Sequence, residues 1–282
     1  MPNEYTRTQP ESQEQRGVSL STIVAVTRKG LERLGPRRRQ LEAAALAAPP
    51  APSWADAFAT SEVSVIAEIK RRSPSSGAVA PSLDPATHAR AYARGGARAI
   101  SVLTEGPHFG GSLADLAAVR AAVDLPVLRK DFILESIQVF EARAAGASAI
   151  LLIARVLDRA TAMELASLAK QLSLGVMVEV HRAQDLDAAL ACEPDALGVN
   201  SRDLETFRVD VPGMERLLRS VPAGMTAVAE SGLASREDVQ RVAEWGADAV
   251  LVGTALASAT APEPLVRAMV GCPRKPAARG SR

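Results

Sequence analysis

Cysteine is almost missing from this chain. Cys192 and Cys272 stand far apart and outside any CxxC spacing, which excludes a disulfide framework and a zinc knuckle and leaves two ordinary free thiols. His88, His108 and His181 share no HxxxH spacing and no carboxylates at helical intervals. No metal site is expected, and each histidine reads as solvated or hydrogen-bonded. The sequence also has no GxGxxG, no GxxxxGK[ST] and no CxxC, so nicotinamide, flavin, nucleotide and iron–sulfur chemistry lack their usual marks. Charge of one sign is not in excess: 33 Lys+Arg face 32 Asp+Glu, a net charge of +1, and the electrostatic case for a nucleic-acid binder falls away. No run approaches the roughly 18 to 20 apolar residues of a membrane span. The opening MPNEYTRTQPESQEQRG is polar rather than a secretory signal. A soluble, intracellular protein of the cytoplasm is expected.

What the chain does contain is regular. Its 282 residues suit one α/β barrel of roughly 250 residues without a second domain. Residues 1–18 carry too little apolar surface to offset the entropy of ordering, so they read as a disordered leader, and 271–282 as a disordered tail. Residues 19–60 form an N-terminal helical extension. Ile23, Val24, Val26, Leu31 and Leu34 are spaced for one helix face, Gly35-Pro36 breaks the run, and a second short helix over 38–47 ends at PPAP.

From residue 61 to about 270, short β-branched runs alternate with Ala-rich helical stretches. The runs are VSVIAEIK (63–70), AISVLTE (99–105), PVLRKDF (126–132), AILLIA (149–154), GVMVEV (175–180), ALGVNS (196–201), TAVAES (226–231) and AVLVGT (249–254). Several follow a Gly-Ala step (Gly96-Ala97, Gly146-Ala147, Gly246-Ala247) that supplies the helix-ending glycine of a short αβ loop. Near-continuous apolar strands imply a parallel sheet buried on both faces. Eight in succession close most naturally into a (β/α)8 TIM barrel, an α/β fold with the helices before strand 1 as its addition. An open doubly wound sheet would carry a Gly-rich first βα turn, and KRRSPSSG stands there instead.

In such a barrel the reactive residues belong at the carboxyl ends of the strands. Strand 1 ends in Glu68 and Lys70, strand 2 in Glu105, strand 3 in Lys130 and Asp131, strand 5 in Glu179, strand 6 in Asn200 and Arg202, and strand 7 in Glu230 and Ser231. Strand 4 ends without one. For any single charge a structural ion pair explains as much as catalysis does. Many strand ends converging on one mouth favour a catalytic pocket, because structural pairing does not require them all to face the same volume. Ser231-Gly232 after strand 7 and Gly253-Thr254 after strand 8 place small residues and free backbone N–H groups where barrels cradle a phosphate, and Ser73 after strand 1 completes the cradle from the far side.

These residues make the chain resemble the indole-3-glycerol-phosphate synthase family of tryptophan biosynthesis. The resemblance lies in AEIKRRSPSSG (67–77), SVLTEGPHFGGSL (101–113), PVLRKDFILESIQVFEARAAGASAILLIA (126–154), VEVH (178–181), GVNSRDLETF (198–207), VAESGL (228–233) and VLVGTAL (250–256), of which RKDFI and NSRDLETF are specific to this family. It implies conversion of 1-(2-carboxyphenylamino)-1-deoxyribulose 5-phosphate to indole-3-glycerol phosphate with release of carbon dioxide and water, a carboxy-lyase reaction without cofactor or metal. By resemblance Lys130 is the general acid at the substrate carbonyl and Glu179 the general base of the dehydration. Lys70 and Glu68 bind substrate and assist proton transfer, and Asn200, Arg202, Glu230 and Ser231 form the polar lining. Ser73, Gly232, Gly253 and Thr254 match the phosphate cradle, and Phe109 and Phe132 the apolar walls around the anthranilate ring. Departures are peripheral: Ser76 replaces a frequent basic residue, Thr254 a frequent Ser or Glu, and residues 54–58 only loosely match the family's aromatic segment before the barrel.

The chemistry of the residues agrees with that assignment. Lys70, Lys130 and Arg202 can meet a substrate phosphate and carboxylate, and a Lys crowded by other cations is expected to lose pKa toward a useful range for an acid. Glu68 and Glu179 supply the base. The implied partner is a small phosphorylated molecule, with no nucleic acid and no membrane, and a monomer and association with other tryptophan-pathway enzymes both stay open. Two alternatives stand beside this reading. One is a sugar-phosphate isomerase resembling phosphoribosylanthranilate isomerase, against which the lack of a Cys at the end of strand 1 counts; the other is a non-catalytic barrel scaffold, against which the filled charged positions count.

Overall fold

The computed structural model describes residues 18–275. Its centre is a closed barrel of eight parallel strands: β1 (Ser64–Ile69), β2 (Ala99–Leu103), β3 (Val127–Lys130), β4 (Ala149–Ile153), β5 (Gly175–Val180), β6 (Ala196–Asn200), β7 (Ala227–Glu230) and β8 (Ala249–Val252). Each pairs with its sequence neighbours, and β8 closes on β1 through Ser64 opposite Ala249 and Ala67 opposite Val252. The expected (β/α)8 architecture is the observed one. Several strands end one or two residues before the apolar runs do, so that Lys70 and Glu105 belong to the loops that follow and Thr254 opens a short helix.

The two-residue period of the strands sorts side chains between two cores. On β1, Val65, Ala67 and Ile69 face outward into the shell that packs on the helices, whereas Ile66 belongs to the barrel interior with Leu128, Leu151, Met177, Val228 and Leu251. The next inward position toward the carboxyl end on β1, β3, β5 and β7 carries Glu68, Lys130, Glu179 and Glu230, and on β6 the inward row reaches Asn200. Apolar layers thus fill the barrel from below, and a charged layer lies on top of them.

The N-terminal extension straps this barrel from mouth to floor. Helix α1 (Leu20–Leu31) is capped by the Ser19 hydroxyl, which accepts from the Thr22 N–H, and its Ile23 joins the apolar cluster that holds Phe132 and Ile153 at the mouth. A 3-10 turn at Gly35–Arg37 leads into α2 (Arg38–Ala47), which packs along α3 (Ser136–Ala144). There Arg143 donates to the carbonyls of Ala48 and Pro49, and Arg38 to the Ser136 hydroxyl. The chain then turns under the barrel at Ala55–Phe58, where Trp54 and Phe58 are buried edge to face, 5.2 Å apart. Gly175 opens β5 there because a Cβ would lie 2.6 Å from the Trp54 side chain. The loose aromatic segment of the sequence is therefore a plug in the barrel floor.

The C-terminal boundary needs correction. Residues 271–275 are not a free tail: Cys272 is buried and its carbonyl accepts from Val63 N–H, while Arg274 donates to the carbonyls of Phe58 and Glu62. The segment closes the floor beside the plug. Of the expected leader, Val18 packs against the interior cluster; residues 1–17 and the tail from 276 on lie outside the described residues. No helix among the described residues is long and apolar enough to cross a membrane.

The plug sits at the end of the barrel opposite the charged layer, which separates stability from chemistry. Trp54→Ala should cost about 3–5 kcal/mol in a urea or thermal melt. The surviving folded protein should keep its kcat within about twofold. Loss of kcat without loss of stability would show that the floor is coupled to the mouth.

Candidate active site

Above the charged layer, the loops enclose a cavity of about 540 Å³. All the residues singled out as catalytic or substrate-binding line it: Glu68, Lys70, Ser73, Phe109, Lys130, Phe132, Glu179, Asn200, Arg202, Glu230, Ser231, Gly232, Gly253 and Thr254. Of the two other strand-end charges, Asp131 also lines the cavity and Glu105 does not, and the carboxylates of both are taken up by neighbouring groups. Asp131 stands one residue out of phase with Lys130, and its carboxylate accepts from the Thr104 hydroxyl, from Arg129 and from its neighbour Phe132 N–H. Glu105 turns into its own loop, accepting from the N–H groups of His108 and Phe109 and from the His108 ring at 2.7 Å. It thereby shapes the turn that carries Phe109 to within 6.2 Å of Phe132, ring centre to ring centre.

At the centre is Lys130. Its Nζ lies 3.0 Å from Glu179 Oε2 and 3.3 Å from Glu230 Oε2, and all three side chains are largely removed from water. Burial alone would lower the Lys130 pKa, but Glu179, Glu230 and Glu68 outweigh it and hold the ammonium above its ordinary range. The expected lowering by neighbouring cations is thus reversed, because the nearest charges are carboxylates. The two glutamates part company. Burial opposes ionisation of Glu179, yet the Lys130 charge and His181 keep it ionised, well below the usual carboxylate range. Burial pushes Glu230 up, and the facing Glu179 and Glu68 add to the push against Lys130, so that it holds its proton to about 8. One ammonium cannot compensate two buried carboxylates.

A second pair lies alongside, Lys70 Nζ 3.2 Å from Glu68 Oε1. Arg202 is held by a 2.8 Å hydrogen bond to the Phe207 carbonyl, and burial lowers its pKa while Glu68 opposes. Asn200 Oδ1 accepts from Arg202 N–H at 2.9 Å, which fixes the amide at the cavity wall.

The glycines have sharper roles than open space for a ligand. A Cβ at Gly253 would overlap Glu68 Oε1 and crowd Lys70 Nζ, so this glycine makes room for an ion pair as well as exposing backbone to the cavity. Gly198 on β6 was not singled out by the sequence reading; a Cβ there would overlap Glu230 Oε1. Only its register beside Glu179, read together with the position of Glu230, reveals that need. Ser231 and Gly232 both have left-handed backbone, φ 69° and 71°, a succession that turns consecutive N–H groups toward one side. Together with the first turn of the short helix α4 (Thr254–Ala257), whose leading N–H groups have no partner within the helix, they form a donor-rich rim at one end of the cavity. Across it, Ser73 is buried and its hydroxyl accepts from Ser76 N–H.

His88 and His108 are hydrogen-bonded, as read. The His181 ring is withdrawn from water: among the described residues neither ring nitrogen has a hydrogen-bond partner, and Nε2 stands 3.2 Å from Glu179 Oε1. Among the described residues, no three His, Cys, Asp or Glu side chains gather as metal ligands.

A closed parallel barrel with a charged mouth and a donor-rich rim defines a (β/α)8 enzyme for an anionic small molecule. Solved structures of that fold overlay on it: 3-hexulose-6-phosphate synthase from Salmonella typhimurium (TM-score 0.59, 16% identity, 73% of this chain and 96% of that one) and thiamine phosphate pyrophosphorylase from Pyrococcus furiosus (TM-score 0.56, 18%, 73% and 93%). At such identities they speak for the fold alone. The sequence is more specific: the family model described as indole-3-glycerol phosphate synthase matches residues 20–269, and the chain belongs to that family. Relatives that carry the family's name include those of Nocardioides sp. (52% identical over 214 residues, 76% of this chain and 82% of the relative), Micrococcus luteus (47% over 259, 88% and 96%) and Mycobacterium ulcerans (46% over 231, 82% and 85%).

The raised Glu230 pKa has a stability consequence. The folded state binds this proton more tightly than the unfolded chain, so the associated stability is present below pH 4.5 and is lost as pH rises through about 8. Urea melts at pH 5 and pH 9 should show wild type losing more stability than Glu230→Gln, which has no proton to release. Parallel losses in the two proteins would mean that Glu230 is ionised throughout.

Proposed function

We propose that this cavity closes and dehydrates an indole ring, with Lys130 as general acid and Glu179 as general base. Membership of the family makes the chain a carboxy-lyase of tryptophan biosynthesis, converting 1-(2-carboxyphenylamino)-1-deoxyribulose 5-phosphate to indole-3-glycerol phosphate. The observation that carries the residue roles is the bridge of Lys130 between Glu179 and Glu230. A firmly protonated ammonium is a weak acid toward a ketone but a strong enough one toward the alkoxide that ring closure creates. Its proton is delivered where charge develops, in the transition state rather than before it.

The steps then follow from charge. The aromatic carbon bearing the carboxylate attacks the ketone carbon, and the ketone oxygen takes the Lys130 proton as it becomes a hydroxyl. Carbon dioxide leaves, and the electrons of its bond restore the aromatic ring. In the dehydration the hydroxyl takes a proton from the Lys70 ammonium and departs as water. The ionised Glu179 removes a proton from the ring system, which completes the indole. Glu68 and Lys70 hold the substrate and assist proton transfer, and Arg202 and Asn200 line the polar wall. Phe109 and Phe132 take the anthranilate ring, and the rim of Ser73, Ser231, Gly232, Gly253 and Thr254 takes the phosphate. In this reading the enzyme works in the cytoplasm on a small phosphorylated substrate.

Lys130→Met keeps an apolar stem of similar length and removes the proton. Turnover, followed by the appearance of indole absorbance, should fall by about 10²- to 10⁴-fold with the melting transition retained. A variant with more than about half the wild-type kcat would overturn the role.

Glu179→Gln can still hydrogen-bond but cannot accept a proton. Quenched-flow sampling should show a ring-closed, decarboxylated intermediate accumulating. Persistence of open-chain substrate instead would place Glu179 in the first step.

A further inference from the structure

The motif VEVH brings a residue to the site that no step above uses. His181 follows β5 two positions after Glu179, so both fall on the inward row, His181 being one layer nearer the loops. Its side chain is only 3% exposed and does not line the cavity. Nε2 lies 3.2 Å from Glu179 Oε1, yet among the described residues neither ring nitrogen completes a hydrogen bond. Burying an imidazole in this way is costly unless its polar atoms are used.

We propose that His181 is a positioning residue for Glu179, holding Oε1 while Lys130 holds Oε2, and that it becomes the carboxylate's remaining partner when substrate draws Lys130 away. The proposal rests on the reading of Glu179 as the base. The groups around that carboxylate leave few alternatives. Lys130 reaches it from β3, and Glu230, which holds its proton to about 8, faces it from β7, while Glu68 of β1 acts on the same lysine. The register neighbours on either side are uncharged, Ile153 on β4 and Gly198 on β6. Once Lys130 turns to the ketone oxygen, His181 still stands 3.2 Å from Glu179 and favours its ionised form. Without it, the isolated carboxylate beside Glu230 would take up a proton and lose its function as a base.

The test compares His181→Leu, His181→Gln and His181→Asn with wild type. The Gln amide nitrogen can occupy the place of Nε2, Asn reaches only the place of Nδ1, and Leu offers no polar atom. His181→Leu and His181→Asn should lose about tenfold or more in kcat, the scale of a hydrogen bond to a charged group, with KM within about twofold. The acid limb of their kcat–pH profile should move to higher pH, because a less stabilised carboxylate protonates sooner. His181→Gln should restore most of the turnover and return the limb. In a Glu179→Gln background, His181→Leu should have no further effect.

Folded His181→Leu with wild-type kcat and an unmoved acid limb overturns the proposal. So does an equal loss in the Glu179→Gln background, which would place His181 on a separate function. If His181→Leu fails to fold, His181→Gln decides: a folded Gln variant as impaired as His181→Asn refutes the positioning role. The underlying reading fails differently, through a Glu179→Gln enzyme that turns over at the wild-type rate.

Discussion

The site depends on one constraint, a single ammonium buried against two carboxylates. Lys130 cannot compensate both Glu179 and Glu230, so the pair divides into one group that stays ionised and one that holds a proton. That division gives the mouth a base and a neutral acid from the same residue type. It also explains why glycine is needed nearby. Gly198 leaves space for Glu230 to lie against β6, and Gly253 leaves space for the Glu68–Lys70 pair, so the charged layer closes with two glycines as part of its packing.

The barrel makes such a layer affordable. Below it the interior is filled by Ile66, Leu128, Leu151, Met177, Val228 and Leu251, and the floor is sealed by Trp54 and Phe58. The charged side chains of the interior gather at the end where loops, a cavity and a charged substrate can meet them. The N-terminal strap links the two ends physically, since the segment that places Ile23 near Phe132 continues along α3 and ends as the floor plug. Stability at the floor and access at the mouth are properties of one continuous stretch of chain.

Relatives of this family share the activity's name, while the solved barrels that overlay on the chain share only its frame. The physical reason is that the frame is set by apolar alternation, which many sequences satisfy. The chemistry is set by a handful of inward positions at the carboxyl ends of the strands, which few sequences fill in the same way.

Read by itself, the sequence determined the repeated βα order, the eight strands, the break at Gly35-Pro36 and the membership of the mouth. Each of these follows from local periodicity, from turn residues or from a motif matched in order. It did not determine which strand-end carboxylates are free to meet a ligand, because two-residue phase matters and a list of terminal charges ignores it: those of Asp131 and Glu105 are taken up by neighbouring loop and strand groups. Nor could it decide the direction of the Lys130 shift, the need for glycine at 198, the plug formed by Trp54 or the docking of residues 271–275, since each rests on groups far apart in the chain. His181 is the clearest case. Its two-residue spacing from Glu179 was visible from the start, but only the closed barrel removes its ring from water and leaves the carboxylate as its neighbour.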